Sequence, residues 1–243
     1  MPRCWSAPPL SIVAGAAADA LGRLGLGDFD ALWRLPHEFV EAPNHRRAGW
    51  SAVVRAGSGG HVFYVKRQEN QCRRSLRHPL GRPSFVFEAE SLQQWRQAGL
   101  PVVELVAHGC RRRDGVWQAV LVTAAVPPNY RPLLDLRDRS DPWPPAVLRR
   151  VGEQLCGLHA AGWRHGSLYP GHVYVDPASG ELLLIDLERA RRHRRAESAA
   201  LSDLRQFLRR CTWLSCASRT TLLAAYRERM PAVFECLGSG VTG

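Results

Sequence analysis

No part of the chain constrains its fold as tightly as the stretch from Gly162 to Glu188. It reads Gly-Trp-Arg-His-Gly-Ser-Leu-Tyr-Pro-Gly-His-Val-Tyr-Val-Asp, then a turn Pro-Ala-Ser-Gly, then Glu-Leu-Leu-Leu-Ile-Asp-Leu-Glu. Ahead of it, Val147, Leu148, Val151, Leu155 and Leu158 recur at helical spacing, and Gly162 stands where such a helix stops. Val173 to Val175 and Leu182 to Ile185 are short apolar runs around turn residues, which predicts an antiparallel hairpin. Two strands of similar length return the chain to its starting edge, so the polar loop His165 to His172 enters the hairpin at the end where Asp186 leaves it. His165, Ser167, His172, Asp186 and Glu188 are thereby expected in one cleft, as a cluster of titratable and metal-capable groups.

The loop His165-Gly166-Ser167-Leu168-Tyr169-Pro170-Gly171-His172, followed by Ile185-Asp186-Leu187-Glu188, resembles the catalytic loop and metal-binding Asp of the protein-kinase-like fold. Its wording, with Ile-Asp-Leu-Glu-Arg-Ala-Arg after the hairpin, is most similar to the bacterial lipopolysaccharide core kinases, the WaaP/InaA group, which act on heptose or Kdo sugars. The resemblance implies an α+β protein of two lobes, a small antiparallel-sheet N-lobe and a mainly helical C-lobe. The expected division is an N-terminal helical extension over residues 1–35, an N-lobe over 36–126, a C-lobe over 127–237 and a flexible tail over 238–243.

The N-terminal half reads accordingly. Strand-like pieces run over Phe39–Glu41, Trp50–Arg55, His61–Lys66, Val102–Ala107 and Val116–Thr123, with Asp114-Gly115 as a hairpin turn. A basic loop is expected from Arg67 to Pro83, then a helix from Ser84 to Ala98 stopped by Gly99 and Pro101. The resemblance makes Lys66, at the end of its strand, the phosphate-binding lysine, with Glu88 on the helix as its partner; Glu88 read without Lys66 is an ordinary exposed residue beside Glu90. The nucleotide loop falls at Arg47 to Ser51, where Gly49 and Ser51 would cover phosphate although the run has a single glycine. Thr123 to Pro128, with Thr123 and Ala125 foremost, becomes the hinge that offers backbone groups to an adenine ring.

Phosphoryl transfer needs a lysine on the phosphates, oxygen ligands for magnesium, and a group that orients the acceptor hydroxyl. Asp186 suits the metal role, and the implied cofactors are ATP and Mg2+. His172 stands where protein kinases place a second metal-side Asn. Imidazole is softer than magnesium prefers, which leaves phosphate binding or loop orientation open to it. Glu188, where a glycine is usual, adds a second metal carboxylate or caps the loop. Asp203 matches the Asp that accepts amides of the catalytic loop, although a charge near a helix N-terminus reads the same way. The resemblance makes Ser167, His165 and Asp186 the catalytic residues, with Ser167 at the position of the catalytic Asp, and a hydroxyl is no base near neutral pH. Tyr169 replaces a lysine that would touch the transferred phosphate. Gly166 replaces the Arg of phosphorylation-regulated kinases, as in small-molecule and sugar kinases.

Charge narrows the partners. The formal net charge is +11, with arginines clustered at Arg73, Arg74 and Arg77, at Arg111 to Arg113 and from Arg189 to Arg195. Such a surface favours an anionic glycolipid or sugar substrate and peripheral contact with the inner membrane, or else is simply solvated. Nucleic acid fits poorly, because aromatics do not interleave the arginine runs. Seven cysteines without a Cys-x-x-Cys pair read as reduced thiols in a cytoplasmic protein. Leu10 to Ala20 is Ala-rich rather than strongly apolar, hence an amphipathic helix more than a secretory signal. Three function classes follow: an ATP-dependent kinase of a core sugar, a pseudokinase that binds nucleotide or a partner without transfer because of Ser167, and a basic nucleic-acid-binding protein.

Overall fold

The computed structural model describes residues 10–36, 39–46, 49–58, 60–75, 78–138 and 143–238. These fall into two compact units, one built from residues 1–94 and 103–125, the other from residues 95–102 and 126–243.

The first unit is a fully antiparallel six-stranded sheet with helices laid on it. Its strands are β1 (Ser11–Ile12), β2 (Asn44–Arg46), β3 (Gly49–Ser58), β4 (His61–Glu69), β7 (Leu105–Arg113) and β8 (Val116–Ala124), in the spatial order β1-β7-β8-β4-β3-β2. Alternation in β4 sends Phe63 and Val65 to one face and Lys66 to the other. Phe63 and Val65 join a core with Val54, Val106, Val120 and Val122, closed by Leu21 of α1 (Ala16–Arg23) and by Phe29 and Leu32 of α2 (Phe29–Trp33). Arg67 lies in the same layer at 1% exposure, and its guanidinium donates to the carbonyls of Trp33 (2.7 Å) and Leu35 (2.9 Å). A buried cation thus satisfies carbonyls left over at the end of α2. Asp28, the N-cap of α2, accepts from the Ala31 amide at 2.9 Å.

Several local expectations are corrected. Residues 67–83 are no loop: β4 runs on to Glu69, and β5 (Cys72–Ser75) pairs with β6 (His78–Pro83) as a separate two-stranded ribbon ahead of α3 (Ser84–Gln97). Arginines that read as loop residues are spent on packing, since the guanidiniums of Arg73 and Arg82 lie 4.6 and 5.8 Å from the Phe87 ring centroid. Phe39 makes an isolated bridge to Val54 instead of opening a strand, and β2 occupies that edge. At the Asp114-Gly115 turn the hairpin closes as expected: Arg113 pairs with Val116, and Asp114 takes a left-handed φ of 50°.

The second unit is mainly helical. α4 (Pro145–Ala160), α5 (Ala196–Arg210), α6 (Cys216–Leu222), α7 (Ala224–Arg229) and α8 (Pro231–Gly238) pack around the apolar stripe of α4. Residues 216–238 form three short helices, α6 to α8, broken at Leu223 and at Met230 before Pro231. Gly152 lets α4 and α6 touch, because a Cβ there would sit 1.8 Å from the Leu222 carbonyl oxygen. Short strands complete the unit: β9 (Arg131–Pro132), β10 (Trp163–Arg164), β11 (Val173–Val175), β12 (Leu182–Leu184) and β13 (Arg191–Arg192). β11 and β12 form the anticipated hairpin, with Val173 opposite Leu184, and β9 flanks β11. Part of the arginine run is itself a strand, β13, paired with β10.

Candidate active site

In the first unit, Lys66 and Glu88 meet across the sheet and α3. The ammonium donates to Glu88 Oε1 at 2.6 Å, with side-chain exposures of 19% for the lysine and 2% for the glutamate. A carboxylate held this far from water needs a cation in contact, so the alternation of β4 and the phase of α3 converge on one ion pair. The Phe85 ring lies 5.9 Å from the same ammonium. Gly49 and Ser51 fall in β3, where Gly49 faces Arg46 and Ser51 pairs with Gln68, while Arg47 of the expected phosphate loop lies outside the described residues. At the end of β8, Thr123 is 6% exposed between Tyr64 and Leu105. The Ala125 amide is already committed to the Val62 carbonyl at 2.8 Å, so this residue has its carbonyl, not its N–H, to present to a ligand.

In the second unit the hairpin does what its lengths dictate. Ile185 N–H donates to the His172 carbonyl at 3.1 Å, which brings the loop and Asp186 to one edge. Asp186 has φ 61° and ψ 63°, a left-handed conformation that Asp tolerates better than most residues and that is enriched at functional sites. It opens a short 3₁₀ turn, Leu187–Arg189, without a side-chain capping bond, so its carboxylate is not spent on the backbone. That carboxylate is 32% exposed and lies 3.4 Å from His172 Nδ1. Nδ1 is also 2.9 Å from the Ser167 carbonyl, and this contact puts a proton on Nδ1. His172 therefore orients the loop and keeps Nε2 as the nitrogen with a lone pair when neutral. Glu188 sits in the 3₁₀ turn, half-buried.

Asp203, fully buried on α5, accepts from the amides of His165 (2.6 Å) and Gly166 (2.9 Å). Burial pushes its carboxyl up, but the hydrogen bonds from His159 and from the Gly166 amide outweigh it and hold the group below the usual carboxylate range. Gly166 must be glycine on two counts: its φ is 80°, and a Cβ would lie 2.7 Å from the Arg189 carbonyl oxygen. The loop is thus seated directly on the turn that follows Asp186.

His165 does not meet substrate from this position, which corrects the expectation of a catalytic role for it. Its ring is 0% exposed, Nε2 contacts the Ile185 carbonyl at 3.1 Å, and Nδ1 receives the Ser167 amide at 3.3 Å. Trp95 closes over it edge to face at 5.9 Å. Burial, against the opposing pull of Asp203 and Asp186, lowers its pKa from 6.5 to about 4. The folded state therefore keeps a neutral imidazole where the unfolded chain would take up a proton. Stability is full above pH 6.5 and is lost as the pH falls toward 4. The expected loss from this group is about 3 kcal/mol at about 1.4 kcal/mol per pH unit. Urea midpoints measured across this range should slope accordingly in the wild type and flatten in His165→Gln; parallel slopes would refute the assignment.

Ser167 is 7% exposed, and its carbonyl also receives the Tyr169 amide at 2.9 Å. Tyr169, in place of a lysine, is turned toward α5: its hydroxyl accepts from Gln206 at 2.9 Å, and Arg210 lies 5.1 Å from its ring. Neither Gln206 nor Arg210 stood out in the sequence, nor did His159, which meets Asp203 from behind, nor Tyr226, which meets His159. The signal for His159 was available: it lies four residues after Leu155, on the apolar stripe of α4, where a polar side chain needs a partner. As for metal, a magnesium ion needs only one or two carboxylates when phosphate supplies the rest, and Asp186 with Glu188 fits that modest requirement.

Comparison with known proteins agrees with this architecture. A family model described as "Lipopolysaccharide kinase (Kdo/WaaP) family" matches residues 30–226. Protein InaA of Escherichia coli (strain K12) is 31% identical over 186 residues, covering 74% of this chain and 86% of the relative. Among solved structures, one titled "WaaP in complex with acyl carrier protein" superimposes with a TM-score of 0.61 at 19% identity, covering 96% of this chain and 99% of that one. At that identity the likeness establishes the fold, a protein-kinase-like one.

Proposed function

Because the chain belongs to the lipopolysaccharide kinase (Kdo/WaaP) family, which supports a kinase function, we propose that it transfers the γ-phosphoryl group of ATP to a hydroxyl of a lipopolysaccharide core sugar, heptose or Kdo. The observation that carries this reading is the Lys66–Glu88 pair: a strand lysine held at 2.6 Å by a helical glutamate with 2% side-chain exposure. Glu88 fixes the ammonium in direction, as a lysine that serves the α- and β-phosphates requires. Asp186, with Glu188 two residues on, would hold Mg2+, which would supply positive charge against the negative charge that develops during transfer. His172 and Asp203 keep the loop in register with Asp186, and the Ala125 carbonyl is the hinge group offered to adenine.

No carboxylate stands at position 167 to take the acceptor proton, so transfer relies on positioning and charge. The acceptor is an anionic glycolipid, which the arginines of the β5–β6 ribbon and of residues 189–195 suit, and the site of action is the cytoplasmic face of the inner membrane. Among the described residues no helix is long and apolar enough to cross a membrane. The second reading, a pseudokinase, is favoured by Ser167 alone.

The two readings separate in one assay: Mg2+-dependent phosphate transfer to delipidated core oligosaccharide by wild type and by Ser167→Asp. The wild type is expected to transfer measurably, and Ser167→Asp to gain about tenfold in kcat, a fraction of the 10²- to 10⁴-fold that a positioned base typically contributes. Nucleotide binding with no transfer by the wild type to either sugar would make it a pseudokinase.

A further inference from the structure

Asp203 is a carboxylate with no exposed surface, and the two loop amides it receives do not exhaust its needs. Behind it lies a second buried layer. His159 of α4 places Nε2 3.3 Å from Asp203 Oδ2, and its Nδ1 lies 2.7 Å from the Tyr226 hydroxyl of α7. His159 and Tyr226 are both 0% exposed. Burial pushes the Tyr226 hydroxyl well above its ordinary range, so it stays protonated.

A protonated phenol beside Nδ1 and an ionised carboxylate beside Nε2 admit one neutral arrangement. The Tyr226 O–H donates to Nδ1, and Nε2–H donates to Asp203. Each polar atom of the chain Tyr226–His159–Asp203 then has a partner, and the carboxylate is fixed in the rotamer that faces the His165 and Gly166 amides. A loop amide alone could follow a swinging carboxylate. A carboxylate gripped from α4, which is itself gripped from α7, cannot swing.

We infer that His159 and Tyr226 are positioning residues: through Asp203 they hold the backbone of residues 165–166, and so the seat of that loop on the Arg189 carbonyl next to Asp186, in the geometry used for phosphoryl transfer. The inference rests on the kinase reading for its catalytic consequence. Its structural half stands independently, because α4 and α7, which contribute His159 and Tyr226, are separate elements whose side-chain contacts named here reach the loop through Asp203.

The test uses the full-length protein in the variants Tyr226→Phe, His159→Phe and His159→Gln, with Leu155→Ala as a control that removes buried α4 packing and leaves the polar chain intact. Tyr226→Phe deletes one oxygen and keeps the ring, so it folds even where His159→Phe does not. Hydrogen exchange of the amides of His165 and Gly166, read in peptides spanning residues 162–172, is expected to quicken at least tenfold in both Phe variants and not in Leu155→Ala at matched thermal stability. For transfer, kcat is expected to fall about tenfold, the size that outer partners carry at metal sites, with the KM for ATP unchanged. His159→Gln, whose amide can still donate to Asp203, should recover part of that loss. Exchange at 165–166 that is unchanged, or that merely tracks global stability as in Leu155→Ala, overturns the inference. If the wild type transfers no phosphate, the proposed function fails, and the exchange result still decides whether this chain holds the loop.

Discussion

Lys66→Met is expected to reduce phosphoryl transfer by about 10²- to 10³-fold, the usual consequence of removing one positioned donor from a site where charge develops. The same change deprives Glu88, with 2% side-chain exposure, of the ammonium at 2.6 Å. Breaking a buried ion pair from one side typically costs about 3 kcal/mol or more, so the variant should also unfold at a lower temperature. The two effects can be separated, because only one of them depends on Glu88 being charged. In Lys66→Met/Glu88→Leu the stranded carboxylate is gone and two apolar side chains fill the space between β4 and α3, so thermal stability should return most of the way to wild type. Activity should not return. A double variant that regains both would show that the lysine holds the fold together and does nothing to phosphate. Comparing the nucleotide KM of the single and double variants completes the test, since both lack the ammonium.

Asp186→Asn should be the more severe for catalysis and the milder for folding. Asn tolerates the left-handed backbone at φ 61° about as well as Asp does, and the carboxylate makes no capping bond that Asn would lose. The unfolding temperature is therefore expected to stay within about 2 °C of wild type, in keeping with a surface change of less than about 0.5 kcal/mol. On the proposed metal role, loss of the formal charge removes the principal carboxylate, so transfer should fall by about 10³-fold while the Mg2+ concentration for half-maximal rate rises. Asp186→Ala carries an added backbone penalty of order 1–2 kcal/mol, since alanine resists that conformation, and so serves as the less informative variant. Mg2+-dependent turnover that survives in Asp186→Asn and disappears in Glu188→Gln would move the metal role two residues on.

How far the sequence could be read differed between the halves of the site. The hairpin that delivers Asp186 was legible because it is local: seven apolar residues, a Pro-Ala-Ser-Gly turn and strands of matched length leave few ways to fold, and Ile185 N–H duly finds the His172 carbonyl. The alternation of Phe63, Val65 and Lys66 was legible for the same reason. The β5–β6 ribbon was not, because an arginine-rich stretch with scattered apolar residues carries no strand period, and its paired Arg73 and Arg82 reach Phe87 on the following helix. His165 was misread in a characteristic way. A histidine in a polar loop looks available, and nothing nearby in sequence announces that Trp95, some seventy residues earlier, encloses it.

The sequence by itself determined the elements with short-range causes: the α4 stripe, the hairpin register, and the family wording that surrounds them. Tertiary structure alone decided which polar groups lose water. Whether Glu88 is an exposed partner of solvent or the buried partner of Lys66, whether Asp203 serves a helix dipole or two loop amides, and whether His159 and Tyr226 matter at all depend on contacts between residues from 22 to 67 positions apart. Desolvation is set by everything packed around a group, and no local pattern of residues records it.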